Sequence, residues 1–153
     1  MSRTQFAMLV AAVFAVAATT SIAADEPPAK VAASTSSFEF TSKQMSFTDA
    51  KPRGESVGDS SVHNYSAREI GGEARVGIAI NQCVLGKTGK RPIGLCTGAL
   101  QLADGTISLH GTSGSDKVTR FAVIGGTGRY LGAAGVLSSK PKGRTLSVSL
   151  ELK

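Results

Sequence analysis

Residues Phe121–Gly135 read FAVIGGTGRYLGAAG. An apolar run falls into a glycine-dense loop, and the fold class turns on what that loop is for. A dinucleotide fingerprint G-x-G-x-x-G begun at Gly126 needs glycine at position 131, where Leu131 stands, and a G-x-x-G-x-x-G spacing begun at Gly125 fails at the same place. The next glycine comes one residue late, at Gly132. A P-loop requires Lys and then Ser or Thr after its last glycine, but Arg129 and Tyr130 follow Gly128. The 21 residues beyond Gly132 hold no helix and following strand, so nothing sets a helix N-terminus under a phosphate. The loop therefore reads as architecture. Gly125, Gly126, Gly128 and Gly132 let the backbone turn tightly at a rim, and Tyr130 with the small GAAG tail brings the chain back against a wall.

Working outward, the chain on either side is short-stranded. SFEFTSK alternates Phe38 and Phe40 with Glu39 and Thr41, and MSF resumes an alternation at Met45 and Phe47. ARVGIAINQCVL places Val76, Ile78, Ile80 and Val84 on one face and Gly77, Ala79, Asn81 and Cys83 on the other. In IGLCTGALQL, Cys96 shares a face with Gly94, Gly98, Leu100 and Leu102. ADG marks a turn, TISLHGT and RFAVIGG follow, and TLSVSLELK closes with Leu146, Val148, Leu150 and Leu152 in alternation. No stretch after Ser36 carries an apolar stripe of three helical turns. The pattern predicts an all-β sandwich or barrel, and the mid-strand glycines Gly77, Gly94 and Gly98 favour the sharply bent strands of a barrel.

Cys83 and Cys96 flank LGKTGKRPIG, a loop by its Gly, Lys and Pro content, so they can face each other across paired strands. With neither CxxC spacing nor an adjacent base, a structural disulfide is expected, stabilising by about 3 kcal/mol on the chain-entropy argument. GESVG at Gly54–Gly58 matches G-x-S-x-G with Ser56 as nucleophile, and Asp104 and His110 follow in order, but a hydrolase elbow needs a strand-to-helix turn that this polar loop lacks. His63 and His110 lie far apart and no ligand pair has metal spacing, so no metal site is expected and both histidines read as surface or strand polar residues. Asn64 opens an NYS sequon.

The N-terminus carries an address. After Arg3, Phe6–Ala18 is thirteen residues without charge, followed by small residues at Ser21 and Ala23. That is a secretory signal peptide, too short for the roughly 18 to 20 residues of a membrane span. Residues 1–23 are expected to be removed, leaving no stable membrane insertion and a secreted protein, periplasmic or extracellular. Residues 24–36, rich in Pro, Ala and Ser, read as a flexible leader, and 37–153 as one β domain. The whole chain has 17 basic and 11 acidic residues, net +6. Its few aromatics do not interleave with the basic residues as single-strand binding requires, so nucleic acid is not expected as a partner. The charge suits solubility or attraction to anionic cell-surface material.

Three segments together resemble one family. GEARVGIAINQCV (72–84), LADGTISLHG (102–111) and FAVIGGTGRYLGAAG are similar to the allene oxide cyclase and dirigent superfamily, and the likeness runs from about 37 to 152. It implies a single antiparallel eight-stranded β-barrel, a homotrimer, and a ligand cavity in the barrel mouth. Members steer cyclisation or radical coupling without a cofactor by holding a reactive apolar molecule in one shape, so no cofactor and an apolar or phenolic small molecule are expected. A non-catalytic, envelope-associated binding module on the same barrel is the alternative. By the resemblance Glu39 matches a strand-one carboxylate, Thr41 replaces an Asn, Gly58-Asp59 is kept, and Cys83 matches a pocket cysteine. The expected ligand-binding residues are Glu39, Thr41, Asp59 and Asn81, with Glu39 the catalytic candidate. The alternation leaves open whether Glu39 faces the cavity or the solvent.

Overall fold

A computed structural model describes residues 31–51 and 53–153. The signal-peptide segment 1–23 and residues 24–30 of the leader lie outside the described residues. Eight strands follow in order: β1 (Ser34–Thr48), β2 (Ser60–Glu69), β3 (Arg75–Lys87), β4 (Ile93–Leu102), β5 (Gly105–Ser113), β6 (Thr119–Gly126), β7 (Gly135–Lys142) and β8 (Thr145–Leu152). Each pairs antiparallel with its neighbours and β8 closes on β1, giving an up-and-down barrel without free edges. The all-β, eight-stranded expectation holds. One boundary moves: Ser34, Thr35 and Ser36, read as the end of the leader, pair with Leu152, Glu151 and Leu150. Ladder hydrogen bonds recruit them although their side chains carry no strand pattern.

With an even number of antiparallel strands, connections alternate between two rims. The β2–β3, β4–β5 and β6–β7 connections and both chain ends of the barrel lie at the lower rim, and the other four connections at the upper. The rims differ in height. β1 pairs with β8 only as far as Thr41–Thr145, but with β2 as far as Thr48–Ser60, so the β1–β5 side rises above the β6–β8 side. A bulge between Ser42 and Gln44 shifts the alternation of β1, bringing Met45 and Phe47 opposite His63 and Ser61.

The waist is filled. Phe38 and Phe40 from β1, Leu100 from β4, Ile107 and Leu109 from β5, Phe121 and Val123 from β6, Leu137 from β7, and Val148 and Leu150 from β8 are all buried together. Room for them exists because β3 and β4 send small residues inward. Ala79 is buried, and a Cβ on Gly98 would lie 2.8 Å from the Ile80 carbonyl oxygen. The bulkier face of β3 therefore looks outward, with Ile78, Ile80 and Val84 exposed beside Ile93 and Leu95 of β4.

Cys83 and Cys96 stand directly opposite in the β3–β4 register and form the expected disulfide. The glycine loop closes the lower rim. The Thr127 amide donates to the Thr106 carbonyl (2.8 Å), the Thr106 amide to the Thr127 hydroxyl (3.1 Å), and the Arg129 amide to the Asp104 carbonyl (2.9 Å). Gly128 and Gly132 adopt φ of 58° and 75°, which glycine tolerates best, around the 3₁₀ turn Gly128–Tyr130. The small tail then packs, Ala133 being buried.

Candidate functional site at the upper mouth

Glu39 and Thr41 alternate with the buried Phe38 and Phe40, so they stand on the outside of the barrel. Glu39 Oε2 lies 3.3 Å from Lys142 Nζ in an exposed pair worth little to stability. On a strand whose two phenylalanines fill the core, the intervening residues have no access to it, so Glu39 takes the solvent side of the choice the alternation leaves open, and Thr41, expected to bind ligand, lies outside with it.

Asp59 is buried at the end of the β1–β2 loop but is spent on that loop. Its carboxylate accepts from the amides of Ser56 (2.9 Å) and Ala50 (2.8 Å) and from the Ser56 hydroxyl (2.9 Å). The Ser56 amide above all, helped by the other two donors and opposed by desolvation, holds the carboxyl below its ordinary value. Ser56 is thus a loop clamp. Asp104, offered as its triad partner, lies at the opposite rim and pairs with Arg129 at 3.3 Å.

Asp59 also lines the upper mouth beside Phe47 and Ser61, and Asn81 faces the interior below it. Asn81 sits opposite His63 on β2 and Gly98 on β4, and because Gly98 has no side chain, the amide meets no partner there. Its Oδ1 is buried without a hydrogen-bond partner. A buried orphan acceptor carries a desolvation cost of about 1–3 kcal/mol. Around it lies a residual cavity of about 30 Å³, walled by Phe40, Tyr65, Leu109, Phe121 and Leu137.

β2 supplies polar groups to which the sequence pattern gives no functional role. Ser61, His63 and Tyr65 share the inward alternation of the fully buried Ala67. His63 Nε2 and Ser61 Oγ are hydrogen-bonded at 3.2 Å, and the imidazole stacks on Tyr65 with centroids 6.0 Å apart and planes within 5°. Tyr65 in turn contacts Phe40, centroids 5.9 Å apart. Burial pushes the His63 imidazole below its ordinary 6.5 and the Tyr65 phenol above its ordinary 10.0. Both are therefore neutral at neutral pH and act as hydrogen-bonding groups, the imidazole also as a base. The signal for them was present as the period-2 run Ser61, His63, Tyr65, Ala67.

Two depressions of about 230 Å³ open at this mouth. One is walled by Phe40, Ser42, His63, Tyr65, Arg144 and Leu146, the other by Phe47, Ser61, Cys83, Leu85 and Ser113. Phe40 and Tyr65 wall both the first depression and the small cavity at Asn81. A larger cavity, about 590 Å³, lies at the lower rim between Ser34, Ser36, Leu102, Tyr130, Leu150 and Leu152. Size favours the lower cavity and chemistry the upper one, because the displaced pKa values and the orphan acceptor are all above the waist. Among the described residues no three His, Cys, Asp or Glu side chains gather to hold a metal ion.

The His63 shift gives a pH signature. The unfolded chain takes up a proton near 6.5 and the folded chain only at lower pH, so His63 removes stability as pH falls below 6.5. The depressed Asp59 carboxyl adds a later loss as pH falls below 3.8 toward its folded value. Urea midpoints measured against pH should begin to fall as pH drops below 6.5, and His63→Gln should flatten that segment while leaving the more acidic one.

A closed eight-stranded antiparallel barrel, packed at its waist and open at its mouths to small cavities, defines the class of protein. The sequence of residues 38–150 matches the family described as allene oxide cyclase barrel like domain, and the chain belongs to it. A search of curated protein sequences finds no match. Among solved structures, the fold is similar to a pyocyanin demethylase (20% identity, TM-score 0.72, covering 78% of this chain and 100% of that one). It is also similar to AbnU, an exo-specific intermolecular Diels-Alderase (14%, 0.67, covering 79% and 96%). A third is the pterocarpan synthase dirigent protein PsPTS1 (17%, 0.62, covering 81% and 95%). At these identities the likeness is one of fold.

Proposed function

We propose that this is an exported barrel that binds an apolar or phenolic small molecule in its upper mouth and shapes it for cyclisation or coupling without a cofactor. The observation that supports this most is the orphan Asn81 acceptor facing a small aromatic-walled cavity. A ligand hydroxyl that reaches it offsets the desolvation already incurred, while Tyr65, His63 and Phe40 supply ring surfaces. Holding one conformer against these walls provides orientation without a charged group. The solved neighbours, one a Diels-Alderase and one a pterocarpan synthase by name, are consistent with such use of the barrel. The disulfide is compatible with an oxidising compartment. The filled waist favours the second reading, a binding module without chemistry, because a ligand is confined to the mouth.

Fluorescence titration with 1-naphthol tests the site. Asn81→Leu should leave the fold as stable as before or more so, since it removes an unsatisfied group, yet weaken 1-naphthol binding by about tenfold. Unchanged affinity would show that the mouth does not use this acceptor. Turnover of a candidate substrate separates enzyme from binder.

The same reading includes a homotrimer built through the outer face of β3 and β4, where Ile80 (49% exposed) and Leu95 (53%) stand exposed on either side of the Gln82–Thr97 pair. Light scattering on the eluting protein should give three times the monomer mass, and Ile80→Lys with Leu95→Lys should return it to one.

A further inference from the structure

The charge of this barrel is unevenly divided between its ends. Among the described residues, eleven Lys and Arg side chains lie on the upper loops or the upper halves of their strands, and four lie below. With Glu39 counted beside its upper partner Lys142, the upper half carries five carboxylates, the lower four. The lower end is therefore balanced and the excess positive charge is all at the upper rim. It is spread over every upper connection: Lys51 and Arg53 after β1, Lys90 and Arg91 after β3, Lys117 after β5, and Arg144 after β7. All six are exposed. Of the upper cations only Lys142 has a carboxylate partner among the described residues, and of the upper carboxylates Asp59 is buried and held by its own loop.

A second feature sits on the same rim. The tall side of the barrel ends in Met45 and Phe47 of β1, on the face that looks into the open mouth, and in Val57 of the following loop, all three 62–64% exposed. A lone small anion would need two or three converging cations, whereas these ring the whole mouth. A nucleic acid would use aromatic faces for stacking, and two of the three apolar side chains are aliphatic. Cations in a ring with aliphatic and aromatic tips between them match an interface of anionic headgroups over hydrocarbon.

We infer that the upper rim docks on an anionic phospholipid surface, its basic loops on the headgroups and Met45, Phe47 and Val57 in the outermost acyl layer. The mouth then faces the bilayer. Phe47 and Arg144 also wall the two depressions of the mouth, so the docking is tested by vesicle binding rather than by 1-naphthol.

Co-sedimentation with vesicles tests it, using protein recovered from the periplasm of a bacterial host and its N-terminus read by mass spectrometry. Binding to vesicles of about 30% phosphatidylglycerol in phosphatidylcholine should exceed binding to phosphatidylcholine alone by about tenfold or more, and should fall by a similar factor between about 50 and 500 mM salt. Lys90→Glu with Arg91→Glu and Lys117→Glu should weaken binding about tenfold or more, and Phe47→Ser severalfold, while the lower-rim pair Arg68→Glu and Arg75→Glu should change it less than about twofold. Circular dichroism melts check that each variant folds, and the salt series on the unaltered chain stands if one does not. Equal binding to neutral vesicles, equal loss from the lower-rim pair, or retention on heparin without any vesicle binding would each overturn the inference.

Discussion

Gly126→Ala is expected to destabilise the protein by about 3 kcal/mol or more, through close approach alone. Gly126 ends β6 where the chain passes over β5. A Cβ there would press into the Thr106 carbonyl and lie 2.7 Å from both the Cβ and the carbonyl oxygen of Tyr130. Neither neighbour can yield cheaply. The Thr106 carbonyl already accepts the Thr127 amide, and the 3₁₀ turn bearing Tyr130 is tied to the β4–β5 turn through the Arg129 amide. Gly132→Ala is the control. It has φ of 75° but nothing within 4 Å of its Cβ, so it should lose only about 1 kcal/mol, for backbone strain alone. Urea denaturation of the two variants separates them. Equal losses would mean that the loop is governed by φ and not by close approach.

Removing the Cys83–Cys96 bridge should cost about 3 kcal/mol, most simply read as the difference in urea midpoint with and without a reductant, and again with Cys83→Ala plus Cys96→Ala. The cross-link closes a loop of 14 residues, so most of its effect on the chain-entropy argument lies in the unfolded state. Local structure adds to it. Cys96 is fully buried, and the bridge lies in the wall that rises above β6–β8 at the upper mouth. The reduced protein should therefore keep its barrel while exchanging the β3–β4 loop amides faster. A midpoint that does not move under reductant would place the bridge outside the stabilising framework.

Six of the eight strands and the glycine loop are legible because they rest on local chemistry, while β2 and β7 carry no comparable alternation of large apolar residues. Alternation at Phe38/Phe40 and Leu146–Leu152, turn residues such as Asp104-Gly105, and the one-residue misfit of the glycines to any phosphate loop are all properties of short stretches. The disulfide was legible for the same reason, since one loop separates its cysteines. The candidate site was not. Asn81 does face the interior, whereas the likeness that points to Glu39 and Thr41 carries no information on which face of β1 turns inward. His63 and Tyr65 were passed over because single polar residues in a strand look alike on either face.

What decided those positions was closure of the barrel. Hydropathy alone would bury Ile78 and Ile80 and expose Gly77 and Ala79. The packed interior does the reverse, because phenylalanines and leucines arriving from β1, β4, β5, β6 and β8 leave space at β3 only for small side chains. The sequence by itself determined that strands form, where they turn, and which cysteines meet, since each of these depends on neighbours within about a dozen residues. Only the tertiary structure decided which face of each strand is inside, how the rims differ in height, and that the excess positive charge gathers at one of them. Those are properties of strands packed across a closed interior, and no window along the chain contains both sides of it.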